Sequence, residues 1–73
     1  MTRVRRMTGR EVEQLLSSLG FQFVSQEGSH RKWRHREKRL QVIVPEHKGK
    51  ILPIGTLQQI CTNAQIPEKD WKS

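Results

Sequence analysis

The chain has a single cysteine, Cys61, so no disulfide can form within it. It has no tyrosine, only two tryptophans and two phenylalanines. At 73 residues there is room for one small domain. A domain of roughly 60 residues buries only about 60% of its unfolded surface, so each large apolar side chain matters. Cys61 falls at an apolar-periodic position and reads as a small core residue, which suits a reducing compartment. No apolar run is long enough to span a membrane. The first arginines are not followed by an apolar segment, so no secretory signal is expected and the cytoplasm is the expected location. The three scattered histidines and one cysteine lack the spacing of a zinc site, and no metal or cofactor is expected. "KGK" at 48–50 lacks the rest of a phosphate loop, which argues against nucleotide hydrolysis. There is no internal repeat or low-complexity segment.

Acids are also scarce. Seven stand against 14 Lys and Arg, for a formal charge of +7 and a pI near 10.6. A surplus this large on a small domain points to a polyanionic partner. Arg3, Arg5, Arg6 and Arg10 form one cluster. Arg31, Lys32, Arg34, Arg36, Lys38, Arg39, Lys48 and Lys50 form a second, and between residues 28 and 50 only Glu37 and Glu46 oppose it. A surface built only for solubility would mix its signs more evenly.

Residues 1–7 read as a flexible basic arm, and 8–73 as one domain. Thr8 and Glu11 have the spacing of a capping box. Val12, Leu15, Leu16 and Leu19 then recur at i, i+3, i+4 and i+7, predicting helix over 9–19. Gly20 suits the left-handed position after it, with Phe21 as the apolar residue beyond. "FQFVSQEG" reads as a strand ending in a Glu27-Gly28-Ser29 hairpin turn. "HRKWRH" is the second strand. "REKR" turns the chain, and "LQVIVP" is the third strand, closed by Pro45. "EHKGKIL" reads as a loop. Pro53 suits the first residue of a second helix, with Ile54, Leu57, Ile60, Cys61 and Ala64 at helical spacing over 53–64. Ile66-Pro67 stops it, and "EKDW" can add one more turn.

The order is α+β: a two-layer αβββα arrangement with a three-stranded antiparallel sheet and both helices on one face. Phe21, Phe23, Trp33, Leu40, Val42 and Val44 are the expected core side. Period-two parity then puts His30, Lys32 and Arg34 on the open face, and Arg31, Trp33 and His35 under the helices. Trp33 and His35 read as packing residues, Trp71 as a cover for the end of the core, and His47 as a loop residue able to reach a phosphate.

This order, with a basic open face, resembles the double-stranded-RNA-binding domain. "GSHRKWRH" followed by "VIVPEHKGKILPIGTLQQI" further resembles the HicA toxin family, the small mRNA interferases of HicA–HicB toxin–antitoxin modules. Four elements carry the likeness: Gly-Ser-His after strand 1, the exit from strand 3, the basic His/Lys loop and the "GTLxxI" helix start. Together they cover roughly Thr8 to Trp71. The resemblance implies that Gly28 and Ser29 form a turn presenting a catalytic His30. It implies an mRNA target and a HicB-like antitoxin partner. Arg31 stands where many members carry a second histidine.

The chemistry is independently plausible. RNA supplies its own nucleophile, the 2′-OH, so cleavage needs a base, an acid and positive charge on the phosphorane. A histidine, with an ordinary pKa near ~6.5, serves either proton role. Lys32 and Arg34 are the expected phosphate binders, with Arg31, Lys48 and Lys50 as further RNA contacts. The competing expectation is a non-catalytic RNA-binding module of the same fold.

Overall fold

The computed structural model describes residues 4–72. Its elements run α1 (Gly9–Ser18), β1 (Gln22–Glu27), β2 (His30–His35), β3 (Leu40–Pro45), α2 (Ile54–Asn63) and α3 (Glu68–Trp71). The strands form one antiparallel sheet in the order β1-β2-β3. Val12 and Leu16 of α1, and Leu57, Ile60 and Cys61 of α2, meet Trp33, Val42 and Val44 in one core. Both helices therefore cover the same sheet face, as the stripes and strand parity require.

Local chemistry sets the ends of α1. Thr8 Oγ1 accepts from the Glu11 N–H at 3.2 Å, and Glu11 Oε1 accepts from the Thr8 N–H at 3.0 Å. This is the expected capping box. At the other end the Phe21 N–H donates to the Leu16 carbonyl and the Gly20 N–H to that of Ser17. That pair of bonds is a Schellman closure. Gly20 is required twice over: its φ is +97°, and a Cβ there would lie 2.9 Å from His35 Nε2.

The structure departs from the sequence expectations at several points. Phe23 is 45% exposed rather than buried. The register shifts between Phe23 and Ser25, a β-bulge on an edge strand of the sheet. Phe23 still shares the helix-side face, packing edge-on against Trp33 at 5.8 Å between ring centroids. Ile54, expected in the α2 stripe, is exposed, while Leu52 from the preceding loop is buried. Pro53 caps α2 rather than opening it.

Residues 4–7 do not stand free of the domain as an arm. Val4 bridges to Lys72, the Arg5 N–H donates to the Trp71 carbonyl, and Met7 is 3% exposed in the core. The physical reason is that Met7 and Val4 supply apolar surface that a core this small uses. The rest of the expected arm, including Arg3, lies outside the described residues. α3, the extra turn, places Trp71 over the end of the core, with its indole N–H donating to the Ile66 carbonyl at 3.0 Å.

Candidate RNA-facing site at the β1–β2 hairpin

Gly28 and Ser29 form a two-residue loop between Glu27 and His30, the last cross-strand pair of β1 and β2. Gly28 adopts φ +57°, the left-handed conformation such tight hairpins demand. His30 is thus the first residue of the central strand, and it is exposed.

Lys32 and Arg34 follow on the same open face, about 7 and 13 Å further along the strand at the usual rise per residue. Lys32 is half-buried and Arg34 exposed. Cross-strand partners share a face. His30 therefore has Glu27 and Pro45 beside it, Lys32 has Ser25 and Ile43, and Arg34 has Gln22 and Gln41. Among the described residues, none of these three basic side chains forms an ion pair. The open face thus carries a row of three nitrogen-bearing side chains on the middle strand, opposed by one acid, Glu27.

Arg31 does not join that row. Its Nε lies 2.6 Å from Glu13 Oε2 on α1, and Nη1 donates to Gln26 Oε1 at 2.7 Å. The guanidinium carbon stands 4.4 Å from the centroid of the Phe23 ring. Its side chain is only 27% exposed and that of Glu13 16%. Glu13 Oε2 also accepts the Trp33 indole N–H at 2.5 Å. The cation expected among the phosphate contacts is therefore held on the helix side.

Lys48 and Lys50 are exposed in the loop after β3. Its first residue, Glu46, donates its N–H to the Ser29 carbonyl at 2.6 Å, so the loop begins against the hairpin tip. His47 and Lys48 line a depression of about 440 Å³ on the helix side of that tip, together with Arg10 and Arg31. His35 is buried: its ring packs edge-on against Phe21, and Nδ1 accepts the Lys38 N–H at 3.1 Å, closing the β2–β3 turn. Cys61 is buried, and desolvation pushes its thiol up to about 11. Among the described residues, no three His, Cys, Asp or Glu side chains converge as metal ligands.

Sequence reasoning missed Glu13, Gln26 and Glu46. Glu13 lies three residues before Leu16, at the margin of the α1 stripe. That position marks it as near the core but does not name its partners. Gln26 and Glu46 carry no signal of their own, because their roles arise from where the hairpin and the 46–50 loop meet.

Fold and site together describe an αβββα domain of the double-stranded-RNA-binding type, with a basic open face and a histidine at its rim. A family model described as the HicA toxin of bacterial toxin-antitoxin matches residues 9–66, most of the chain. The chain belongs to the HicA toxin family. No match is found among curated proteins.

Proposed function

We propose that this toxin is a metal-independent endoribonuclease that cleaves mRNA, with His30 as its proton-transfer residue. The observation that carries the reading is the exposed His30 at the head of a strand whose same face presents Lys32 and Arg34. In a chain of this family, that face is the natural seat for an RNA backbone. Lys32 and Arg34 hold the scissile phosphate and stabilise the charge that builds on it. His30, in its neutral form, takes the proton of the 2′-OH as the 2′-oxygen attacks phosphorus. In its cationic form it protonates the departing 5′-oxygen. The product is a 2′,3′-cyclic phosphate. A positioned acid or base contributes roughly 10²–10⁴-fold to such a step. Lys48 and Lys50 extend the cationic surface beyond the hairpin tip.

A HicB-like antitoxin completes the pair. It would restrain the toxin by covering the basic open face and competing with RNA. The place of action is the cytoplasm, where mRNA is found; among the described residues no helix is long and apolar enough to cross a membrane.

The test is incubation of purified protein with RNA in the presence of chelator, beside His30→Ala. The side chain of His30 is exposed, so the variant should fold with stability within about 0.5 kcal/mol of wild type. It should keep most of its RNA affinity and lose cleavage and toxicity. Wild-type cleavage by the folded alanine variant would remove His30 from the acid or base role, and RNA binding without cleavage by the wild type would favour the non-catalytic binding module. Cleavage that needs added divalent metal would refute the proton-transfer mechanism.

A further inference from the structure

His30 can act only if the hairpin tip that presents it is held still, and packing does not hold it. Gly28 and Ser29 are exposed, and apart from its own chain neighbours nothing lies within 4 Å of where a Gly28 side chain would begin. What restrains the tip is a set of polar bonds on its helix side. Gln26 Nε2 donates to the Gly28 carbonyl at 2.9 Å and also to Glu46 Oε2. The Glu46 N–H donates to the Ser29 carbonyl. The two carbonyls immediately before His30 are thus each pinned, that of Gly28 from within the hairpin by Gln26 and that of Ser29 from the end of β3 by Glu46.

The orientation of the Gln26 amide is not free. The Arg31 guanidinium can only donate and the Gly28 carbonyl can only accept, so Oε1 must face the first and Nε2 the second. Through Arg31 the chain of bonds reaches Glu13 on α1, which also receives the buried Trp33 indole. The turn is tied in this way to the hydrophobic core.

We propose that Gln26 is a positioning residue for His30: it does not touch RNA but fixes the turn from which the imidazole projects. The inference rests on the catalytic reading of His30 given above. Arg31 and Glu13 anchor Gln26, and Glu46 doubles its hold on the turn.

Gln26→Met keeps the length of the side chain and removes its hydrogen bonds. Gln26→Glu keeps an acceptor for Arg31 but removes the donor to Gly28. Both should retain Tm within a few degrees and KM within about twofold, because Gln26 is exposed. Both should lose on the order of tenfold or more in kcat, since small misplacements of a reacting group are costly. Backbone ¹⁵N order parameters at Gly28, Ser29 and His30 should fall in both variants while the rest of the sheet is unchanged. An unchanged kcat in either variant would overturn the proposal, as would a raised KM at constant kcat, which would put Gln26 in contact with RNA. A turn as ordered in the variants as in wild type would also overturn it. If the wild type cuts no RNA, the catalytic reading fails, and the order parameters alone decide whether Gln26 holds the turn.

Discussion

Glu13 is the residue on which most depends outside the open face. One carboxylate oxygen serves both the Arg31 guanidinium and the Trp33 indole. Charge-assisted bonds of this kind are stronger than neutral ones, and removing one partner leaves the others unsatisfied. Glu13→Ala should therefore destabilise the fold by about 1–3 kcal/mol, read from urea unfolding midpoints at unchanged m-value. Glu13→Gln, which keeps an acceptor, should cost less. An alanine variant as stable as wild type would mean that solvent replaces both bonds. Cys61 carries a second expectation at this scale. Burial among α2 and the sheet holds its thiol protonated, with a pKa near 11. It should react with a thiol reagent at pH 8 only when the protein unfolds, so labelling should follow the unfolding curve in denaturant. Prompt labelling of the native protein would show that the site opens locally.

At the scale of elements, α1 begins at a capping box whose two halves respond differently to pH. Thr8→Ala removes the hydroxyl acceptor and should cost about 1 kcal/mol at neutral pH. Hydrogen bonds from the Thr8 N–H and side chain hold the Glu11 carboxyl below its usual value of 4.5. A carboxylate whose folded pKa is depressed stabilises the fold above its unfolded value, and that contribution is lost as pH falls through the folded one. Wild type should thus lose a small increment of stability below pH 4.5 that Glu11→Ala, lacking the carboxylate, does not lose. Thermal melts of the two proteins between neutral and acid pH should converge. Parallel curves would mean that the cap bond is not made in solution. The same scale explains why α1 was legible in advance. Its start, stripe and stop are all local signals, whereas the bulge in β1 between Phe23 and Ser25 shows only in the pairing with β2.

The whole molecule is a basic sheet face backed by two helices, and its charge predicts how binding should behave. If RNA lies along the open face, its counterions are released on binding, and the affinity should fall steeply with salt. The slope against log salt should flatten by about 1.4 when Lys32 and Arg34 are both replaced by alanine, at roughly 0.7 per phosphate contact to a single strand. The loss should be similar across RNA sequences, because phosphate contacts carry no base information. An unchanged slope would move the binding surface elsewhere, with the Arg5, Arg6 and Arg10 region as the next place to look.

By itself the sequence determined whatever rests on periodicity and on the chemistry of single residues. The order of elements, the capping box, the helix stop at Gly20, and the exposure of His30 with Lys32 and Arg34 on its face all follow from spacings of two, three and four residues. The burial of Cys61, Trp33 and Trp71 was legible for the same reason. The tertiary structure alone decided what depends on segments far apart in the chain. Arg31 is one residue from the open face by parity, but Glu13, 18 positions away, turns it into an anchor. Gln26 and Glu46 become supports of the His30 turn because β3 ends beside the β1–β2 hairpin. Met7 and Leu52 read as arm and loop, yet both are buried in the core, and the Leu52 N–H donates to the Met7 carbonyl to hold the two segments side by side. Local patterns specify which face a residue takes. Which partner waits on that face depends on how the chain folds back, and no window of the sequence contains that.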